Sequence, residues 1–441
     1  MTVEPITDNW VKDYLARVLS ELKGRLALER KEMTFSRMLR EVPTWLPRLR
    51  FWRVGGPRLS RAFEACPWAP ALILKIFGPD KAQLVTDCFE LIWELGQQRG
   101  SSVYVDEDVL EPFMHFEWLL HQEDLKEKRY RDHFFHEIKT AVLCHFILHE
   151  WHLQNGDKVV AHLADHLIKS PQAVRGLRGG KIDPGNFASQ TLCVAALCHD
   201  HGYPFAFYQR VGQGLADMYG KAWDKKYFPG LLQPFGPDPE EAAVAMARTL
   251  VQGMEVSDAQ ADVVADTCRY FVTQGAFEGM HGVPGALLLV EDRLPKLWVK
   301  LNPAERLSLQ FAAWAVLNHD NPLATLDFEE DPLLYLLHMA DELQDWGRIL
   351  CAWDVYRPDA SGELRRLVEI DKLEMAYDLE ALTQLNATFH VDVEGLELAK
   401  KVLPEGVFNP DRFRERKNTL VDELTAQRGR FPLLRWNLAG T

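Results

Sequence analysis

The chain contains 441 residues, carries a formal net charge of −14 at pH 7 and is 47% hydrophobic. The acidic balance argues against binding to duplex nucleic acid, because contacts to phosphate groups require a basic face. No apolar run reaches the roughly 20 residues that cross a bilayer, the first residues lack a signal-peptide pattern, and the seven cysteines form no spaced framework, so we expect a soluble cytoplasmic protein with no membrane partner.

Helical periodicity dominates the first part of the chain. Apolar residues recur at three- and four-residue steps between Trp10 and Leu26, after the capping candidates Thr7 and Asp8, and predict a helix over residues 7–32. A stretch rich in Pro, Trp and Arg interrupts the pattern over residues 42–57, and a further helix is predicted over residues 81–98. Residues 1–125 are therefore predicted to form a helical N-terminal extension.

The centre of the chain is predicted to be a succession of helices. One is expected over residues 132–154 and another over residues 186–199. Later helices have start signals that pair a capping residue with proline or an acidic residue in the first turn, at Asp238-Pro239, Ser257-Asp258, Asn302-Pro303 and Asp331-Pro332. Residues 126–350 are predicted to form the core of the protein.

The sequence changes in character after residue 350. Residues 363–370, 373–379 and 387–393 favour short β-strands. They predict a small antiparallel sheet packed on the helical body, and residues 351–441 become an α+β appendage. The fold class expected for the whole chain is mainly α, with a helical core, a helical N-terminal extension and this small C-terminal appendage.

The most informative motif is the doublet His199-Asp200, which lies where a predicted helix runs into the turn Gly202-Tyr203-Pro204. Imidazole supplies a neutral nitrogen ligand, and a carboxylate neutralises positive charge and can bridge two ions. The doublet therefore predicts a site for divalent metal.

Further histidine and aspartate residues in the central helices extend the doublet. Asp341 lies among Leu337, Met339 and Leu343, where an unpaired charge would be costly, and a metal is a suitable partner. The histidines in the set are single residues, and a surface or buried structural role is the alternative for each of them. In chain order the candidate metal ligands are His136, His199, Asp200, His281, His319 and Asp341.

This order, H…HD…H…H…D, resembles that of the HD-domain superfamily of metal-dependent phosphohydrolases and phosphodiesterases, in particular the branch with two additional histidines for a second metal. The resemblance covers about residues 130–348 and is carried mainly by the doublet and by the sequence ADELQDWGR around Asp341. It implies an HD-type helical core in which His136, His199, Asp200 and Asp341 bind one ion. Asp200 would bridge to a second ion that His281 and His319 complete.

The chemistry of these residue types agrees with the resemblance. Hydrolysis of a phosphate ester needs a hydroxide at neutral pH and neutralisation of phosphoryl charge, and two bridged divalent ions about 3.5–4 Å apart supply both. Mixed histidine and carboxylate ligation suits Mn, Fe, Co, Ni or Zn. We therefore predict a phosphohydrolase or phosphodiesterase with two divalent transition-metal ions, which hydrolyses a small nucleotide-like phosphate ester by a metal-activated hydroxide.

Two alternatives to this function stay open. The run from His199 to Phe205 is similar to the HD-containing motif of dNTP triphosphohydrolases, although those enzymes have a histidine where Tyr203 stands. A protein of another class, a nucleotide-sensing or partner-binding HD protein with little turnover, would retain the same metal core. The large terminal regions suit homo-oligomerisation or a regulatory partner.

Three residues are candidates for the catalytic machinery. Asp200 is the predicted bridging ligand. His133 lies one helical turn before His136 and is a candidate general acid or phosphate contact, with a structural role as the alternative. Arg348 is a candidate phosphate clamp because its planar fork matches phosphate oxygens, with a favourable charge at a helix C-terminus as the alternative.

Another histidine group lies on the same predicted helix as His136. His145, His149 and His152 share a helical face by their spacing. No HExxH sequence or further ligand accompanies them, so we interpret them as the solvated face of that helix.

Overall fold

The computed structural model describes residues 5–32, 87, 133–169, 183–206, 238–293, 301, 303–347, 349–354, 365–377, 382–402 and 410–440. Across these ranges the chain is mainly helical, with a small sheet towards its C-terminal end, which confirms the predicted mainly α class. The helix predicted over residues 81–98 falls, apart from residue 87, outside the described residues. None of the described helices combines the length and apolar character needed to cross a membrane.

The first helices include three that were predicted and one, Val159–Lys169, that was not. They are α1 (Asp8–Glu32), α2 (His133–Glu150), α3 (Val159–Lys169) and α4 (Pro184–Cys198), and a short 3-10 turn (His199–Gly202) follows α4. Every residue of α4 from Phe187 to Cys198 is buried, and the helix packs against α2 and α3. The doublet at its end therefore lies in the interior of the protein.

Among the later helices, four begin at the predicted capping signals, and the short helix Gly282–Leu287 begins without one. They are α5 (Pro239–Met254), α6 (Asp258–Tyr270), α7 (Gly282–Leu287), α8 (Pro303–Asn318) and α9 (Pro332–Leu343). The Asp238 side chain accepts the backbone N–H of Glu241, and Asp331 accepts that of Leu334. Ser257 forms a reciprocal capping box with Gln260. Helix α8 also packs against α4.

The sheet differs in detail from its prediction. Strands β1 (Ile349–Asp354), β2 (Arg365–Tyr377), β3 (Gln384–Val391) and β4 (Leu433–Ala439) pair in the order β1-β2-β3-β4. Residues 363–370 and 373–379, predicted as two strands, form the single strand β2 with a register shift between Ile370 and Lys372. The sheet was expected to be antiparallel, but β3 and β4 are parallel.

The parallel pair has a structural cause. Helices α10 (Val393–Val402) and α11 (Pro410–Ala426) connect β3 to β4, and a parallel pair needs such a long crossover rather than a tight turn. Alternate residues of β3 are buried, among them Leu385 and Phe389, and the ring of Phe389 packs against Phe413 of α11.

Contacts join the N-terminal helix, the central helices and the sheet. Ile6 and Leu373 exchange two backbone hydrogen bonds of 2.7 and 3.1 Å, which attaches the start of α1 to β2. Trp151 stacks on Tyr377 of β2. Buried side chains of the described residues form one hydrophobic cluster with members from all three predicted regions.

Candidate metal centre

The six predicted ligands lie at the ends or on the inner faces of five different elements. His136 is in the first turn of α2, His199 and Asp200 form the 3-10 turn after α4, and His281 immediately precedes α7. His319 follows the last residue of α8, and Asp341 lies in the last turn of α9. The structure brings all six together, as two groups of three: His136, His199 and Asp341, and Asp200, His281 and His319.

Two glycines allow these elements to approach so closely. A Cβ atom on Gly202 would collide with the carbonyl oxygen of His281, and one on Gly282 would lie 2.5 Å from the carbonyl oxygen of Val316 in α8. No side chain fits at either position. Gly202 and Gly282 therefore let the 3-10 turn, α7 and α8 meet backbone to backbone beside the ligands.

The first group combines two imidazoles with one carboxylate. His136 Nε2 lies 2.6 Å from Asp341 Oδ1 and 3.2 Å from His199 Nε2. His199 Nε2 is in turn 3.4 Å from Asp341 Oδ1. Three ligand atoms of the type that binds divalent transition metals thus face one another at short range.

The second group has the same composition. His281 Nε2 lies 2.9 Å from Asp200 Oδ1 and 3.1 Å from His319 Nε2. Asp200 is also near the first group, because its Oδ1 is 3.6 Å from His199 Nε2 and its Oδ2 is 4.0 Å from His136 Nε2. This position between the two groups is compatible with the bridging role predicted for Asp200.

Each histidine of the centre is held by its other ring nitrogen. His199 Nδ1 is 2.7 Å from the carbonyl oxygen of Ala196, and His319 Nδ1 is 2.7 Å from that of Val316. His136 Nδ1 contacts Gln344 Oε1. A carbonyl or amide oxygen can only accept a hydrogen bond, so Nδ1 carries a proton, and Nε2 presents a lone pair whenever the ring is neutral.

His281 is oriented by a carboxylate that sequence reasoning missed. Asp320 Oδ2 lies 3.0 Å from His281 Nδ1 and 2.5 Å from its backbone nitrogen, and both Asp320 oxygens accept the N–H of Gly282. A carboxylate that fixes the ring of a metal-binding histidine is a common partner in metal sites. One signal could have identified it, since His319-Asp320 repeats the doublet His199-Asp200.

The donor set fits a metal ion. Two neutral imidazoles whose Nε2 lone pairs face each other at 3.1–3.2 Å repel unless a proton or a cation lies between them. The carboxylates of Asp200 and Asp341 beside these nitrogens supply the negative charge that a divalent cation needs. A metal ion in each group would satisfy both requirements together.

The electrostatics of the buried groups also favours a bound cation. Burial disfavours the charged form of Asp341, but His199 and His136 hold the pKa of this carboxyl well below its usual value. Burial is likewise outweighed at Asp320, whose pKa is lowered by His281 and His319. The carboxylates are therefore ionised at neutral pH, and positive charge must be held close to them.

The pKa values of the buried histidines are shifted in opposite directions. Burial would lower the pKa of His281, but Asp320 and Asp200 raise it well above its usual value, and Asp200 and Asp341 similarly raise the pKa of buried His199. Burial lowers the pKa of His319. Protons on some histidines therefore balance the carboxylates in the free protein, and metal binding would displace them.

The candidate ligands differ in their exposure to solvent. The side chains of Asp341 and His281 are 20% and 17% exposed, whereas that of His199 is fully buried. A ligand would therefore reach the centre from the side of Asp341 and His281. His319 and Asp320 also line a cavity of about 390 Å³, whose wall includes His338 and residues of α11.

Two of the predicted catalytic residues fall on parts of the chain without a described side chain. His133 is the first residue of α2, but its side chain lies outside the described residues, and so does Arg348. Their proposed roles stay predictions.

The interpretation of His145 as solvated is wrong. Its side chain is buried, and its Nδ1 lies 2.9 Å from the hydroxyl of Tyr14 in α1. His149 Nε2 lies 2.8 Å from the hydroxyl of Ser189 in α4. Helix α1 covers this face of α2, and spacing along α2 alone does not reveal the cover.

No family model, no curated protein and no solved structure matches the chain.

Proposed function

We propose that the protein is a divalent-metal-dependent phosphohydrolase or phosphodiesterase that acts on a small nucleotide-like phosphate ester. The observation that carries the proposal is the convergence of four imidazole Nε2 atoms on two aspartates, with each Nδ1 held by a hydrogen-bond acceptor. The order of these residues along the chain, which resembles that of the HD superfamily, points to the same chemistry.

The six candidate ligands would bind two metal ions. His136, His199 and Asp341 would hold one ion, and His281 and His319 a second, with Asp200 between them. Bound divalent ions would supply a water of lowered pKa and neutralise charge on the phosphoryl oxygens. Gln344, Asp320 and the carbonyl groups at Nδ1 orient the histidine rings, which would favour metal binding.

The ligand types restrict the metal. Imidazole and carboxylate together suit Mn, Fe, Co, Ni or Zn better than calcium. Cys198 precedes the doublet and is buried, but it belongs to neither group of candidate ligands. A thiolate-bound metal is therefore not expected among the described residues.

The test joins metal analysis to a substrate screen. Protein purified without chelator should contain up to two transition-metal ions per chain, and a panel of nucleotides and nucleotide esters should release phosphate or a nucleoside monophosphate. Asp200→Asn should lose most of the metal and the turnover. Asp266→Asn, at a side chain 69% exposed, is the matched control and should change neither.

The alternatives give different results in the same assay. Release of inorganic triphosphate from dNTPs alone would identify a triphosphohydrolase. Metal and nucleotide binding without product would identify a sensor. Folded protein that carries no metal, and takes up none when Mn²⁺, Co²⁺ or Zn²⁺ is added, would contradict the metal centre itself.

A further inference from the structure

The C-terminal helix α11 places two basic side chains against the end of α9. Lys417 is only 1% exposed, and its Nζ lies 2.6 Å from Asp345 Oδ2 and 3.1 Å from Glu342 Oε2. It also donates to the backbone carbonyl of Glu342. Arg416 reaches the same two carboxylates, at 3.1 and 3.3 Å. Two cations thus hold two carboxylates on one short stretch of chain.

That stretch also carries part of the metal centre. Asp341 is a candidate ligand, and Gln344 contacts His136 Nδ1 and donates to the carbonyl of Trp346. Residues 341 and 344 face the centre, whereas Glu342 and Asp345, each one position further along the chain, face α11. Residues that face the centre and residues that face α11 alternate within these five positions. A displacement of Glu342 or Asp345 therefore also moves Asp341 and Gln344.

We propose that Lys417, assisted by Arg416, is a positioning residue of the metal centre, which fixes Asp341 and Gln344 by anchoring the end of α9. The inference rests on the proposed centre as a place where metal binds, but not on the reaction catalysed there.

The physical reason is the cost of an unbalanced charge. Removing one partner of a buried ion pair leaves the other charge desolvated and without compensation. Without Lys417, only Arg416, whose side chain is 43% exposed, would balance Asp345 and Glu342, and these carboxylates would repel each other and Asp341 across a poorly screened interior. They would be expected to turn towards water, and the end of α9 would move with them.

If Lys417 acts through its charge alone, its removal should raise the affinity for metal; if it acts by positioning ligands, its removal should lower that affinity. Removing a positive charge near a cation site strengthens the local attraction for metal. Displacing a residue that orients metal ligands weakens binding, typically by about 10–100-fold. The direction of the change therefore separates a positioning role from a simple charge effect.

The experiment is a calorimetric titration of Mn²⁺ into the metal-free full chain, with circular dichroism to confirm folding. Lys417→Met should weaken Mn²⁺ binding by about 10-fold, the lower end of the range for residues that support ligands. Lys417→Arg, which keeps the charge, should restore much of the affinity. Arg414→Met removes a cation of the same helix from an exposed pair with Asp411 and is the matched control, with unchanged or slightly tighter binding.

Arg416→Met provides a second variant in case Lys417→Met does not fold, since the Arg416 side chain is 43% exposed. It should weaken Mn²⁺ binding in the same direction, by a smaller factor. Unchanged or tighter binding in the folded variants would overturn the inference. Failure of the native chain to bind Mn²⁺ would instead overturn the proposed centre, so the two failures are distinguishable.

Discussion

Replacement of Asp320 by asparagine should weaken one of the two metal sites selectively. The carboxylate accepts hydrogen bonds from the backbone nitrogens of His281 and Gly282 and contacts His281 Nδ1. Asparagine has nearly the same shape, but it loses the charge and turns an amide group towards donors. His281 would then lose the carboxylate at Nδ1 and keep only the carbonyl oxygen of Gly279, at 3.2 Å, while His136 and His199 keep their acceptors.

The size of the effect follows from those contacts. Partners of metal-binding histidines typically contribute 10–100-fold to affinity, which corresponds to about 1.4–2.8 kcal/mol at 25 °C. We expect a loss in this range for the ion at His281, His319 and Asp200. The ion at His136, His199 and Asp341 should be affected much less.

Calorimetric titration with Mn²⁺, fitted to two sites, measures both affinities. Asp331→Asn is the matched control, because Asp331 also accepts a backbone N–H and a second donor, Trp314 Nε1 at 2.7 Å, but belongs to neither ligand group. The control should leave Mn²⁺ binding intact and change the free energy of unfolding little, because asparagine caps a helix about as well as aspartate does. Equal weakening of both sites in Asp320→Asn, or none at either, would refute the reasoning.

Three further predictions follow from the same structure. His281→Ala and His319→Ala should each reduce the metal content by about one ion per chain without unfolding the protein; elemental analysis that shows the native ratio in both variants would leave a single-ion centre. Burial holds the pKa of His145 well below its usual value, so below about pH 6.5 the unfolded chain binds one more proton than the folded chain. The free energy of unfolding should therefore fall as the pH decreases below this value, by up to about 1.4 kcal/mol per pH unit. His145→Gln should show a shallower fall in denaturant titrations at pH 5 to 7, and identical slopes would contradict this assignment. His133→Ala should retain the metal and slow turnover by about 10²–10⁴-fold for poor leaving groups, with p-nitrophenyl esters much less affected; equal losses for both kinds of ester would exclude a general-acid role.

Half of the candidate ligands were accessible from sequence because the doublet and Asp341 belong to strong local patterns. The doublet His199-Asp200 follows an apolar helix and precedes a glycine, and Asp341 interrupts an apolar stretch, so both signals depend only on neighbours in the chain. The helix starts at Asp238, Ser257 and Asp331 were predictable for the same reason, since a capping residue acts within its own first turn.

The residues that sequence reasoning missed act across the fold. Asp320 and Gln344 matter because they reach histidines 39 and 208 positions away. His145 was misjudged because α1 covers it, and the parallel β3–β4 pair depends on a crossover whose return point no local pattern marks. These features become visible only when distant segments are placed together.

The pairing of Ile6 with Leu373 has a consequence for folding during synthesis on the ribosome. A ribosome delivers the chain from its N-terminus, so Ile6, which lies just before α1, emerges long before the strand with which it pairs. Contacts between segments so distant in sequence slow folding, because a long loop must close before they form. Nascent chains released before Leu373 should therefore leave the start of α1 accessible to protease, and protection should begin only when β2 has been synthesised.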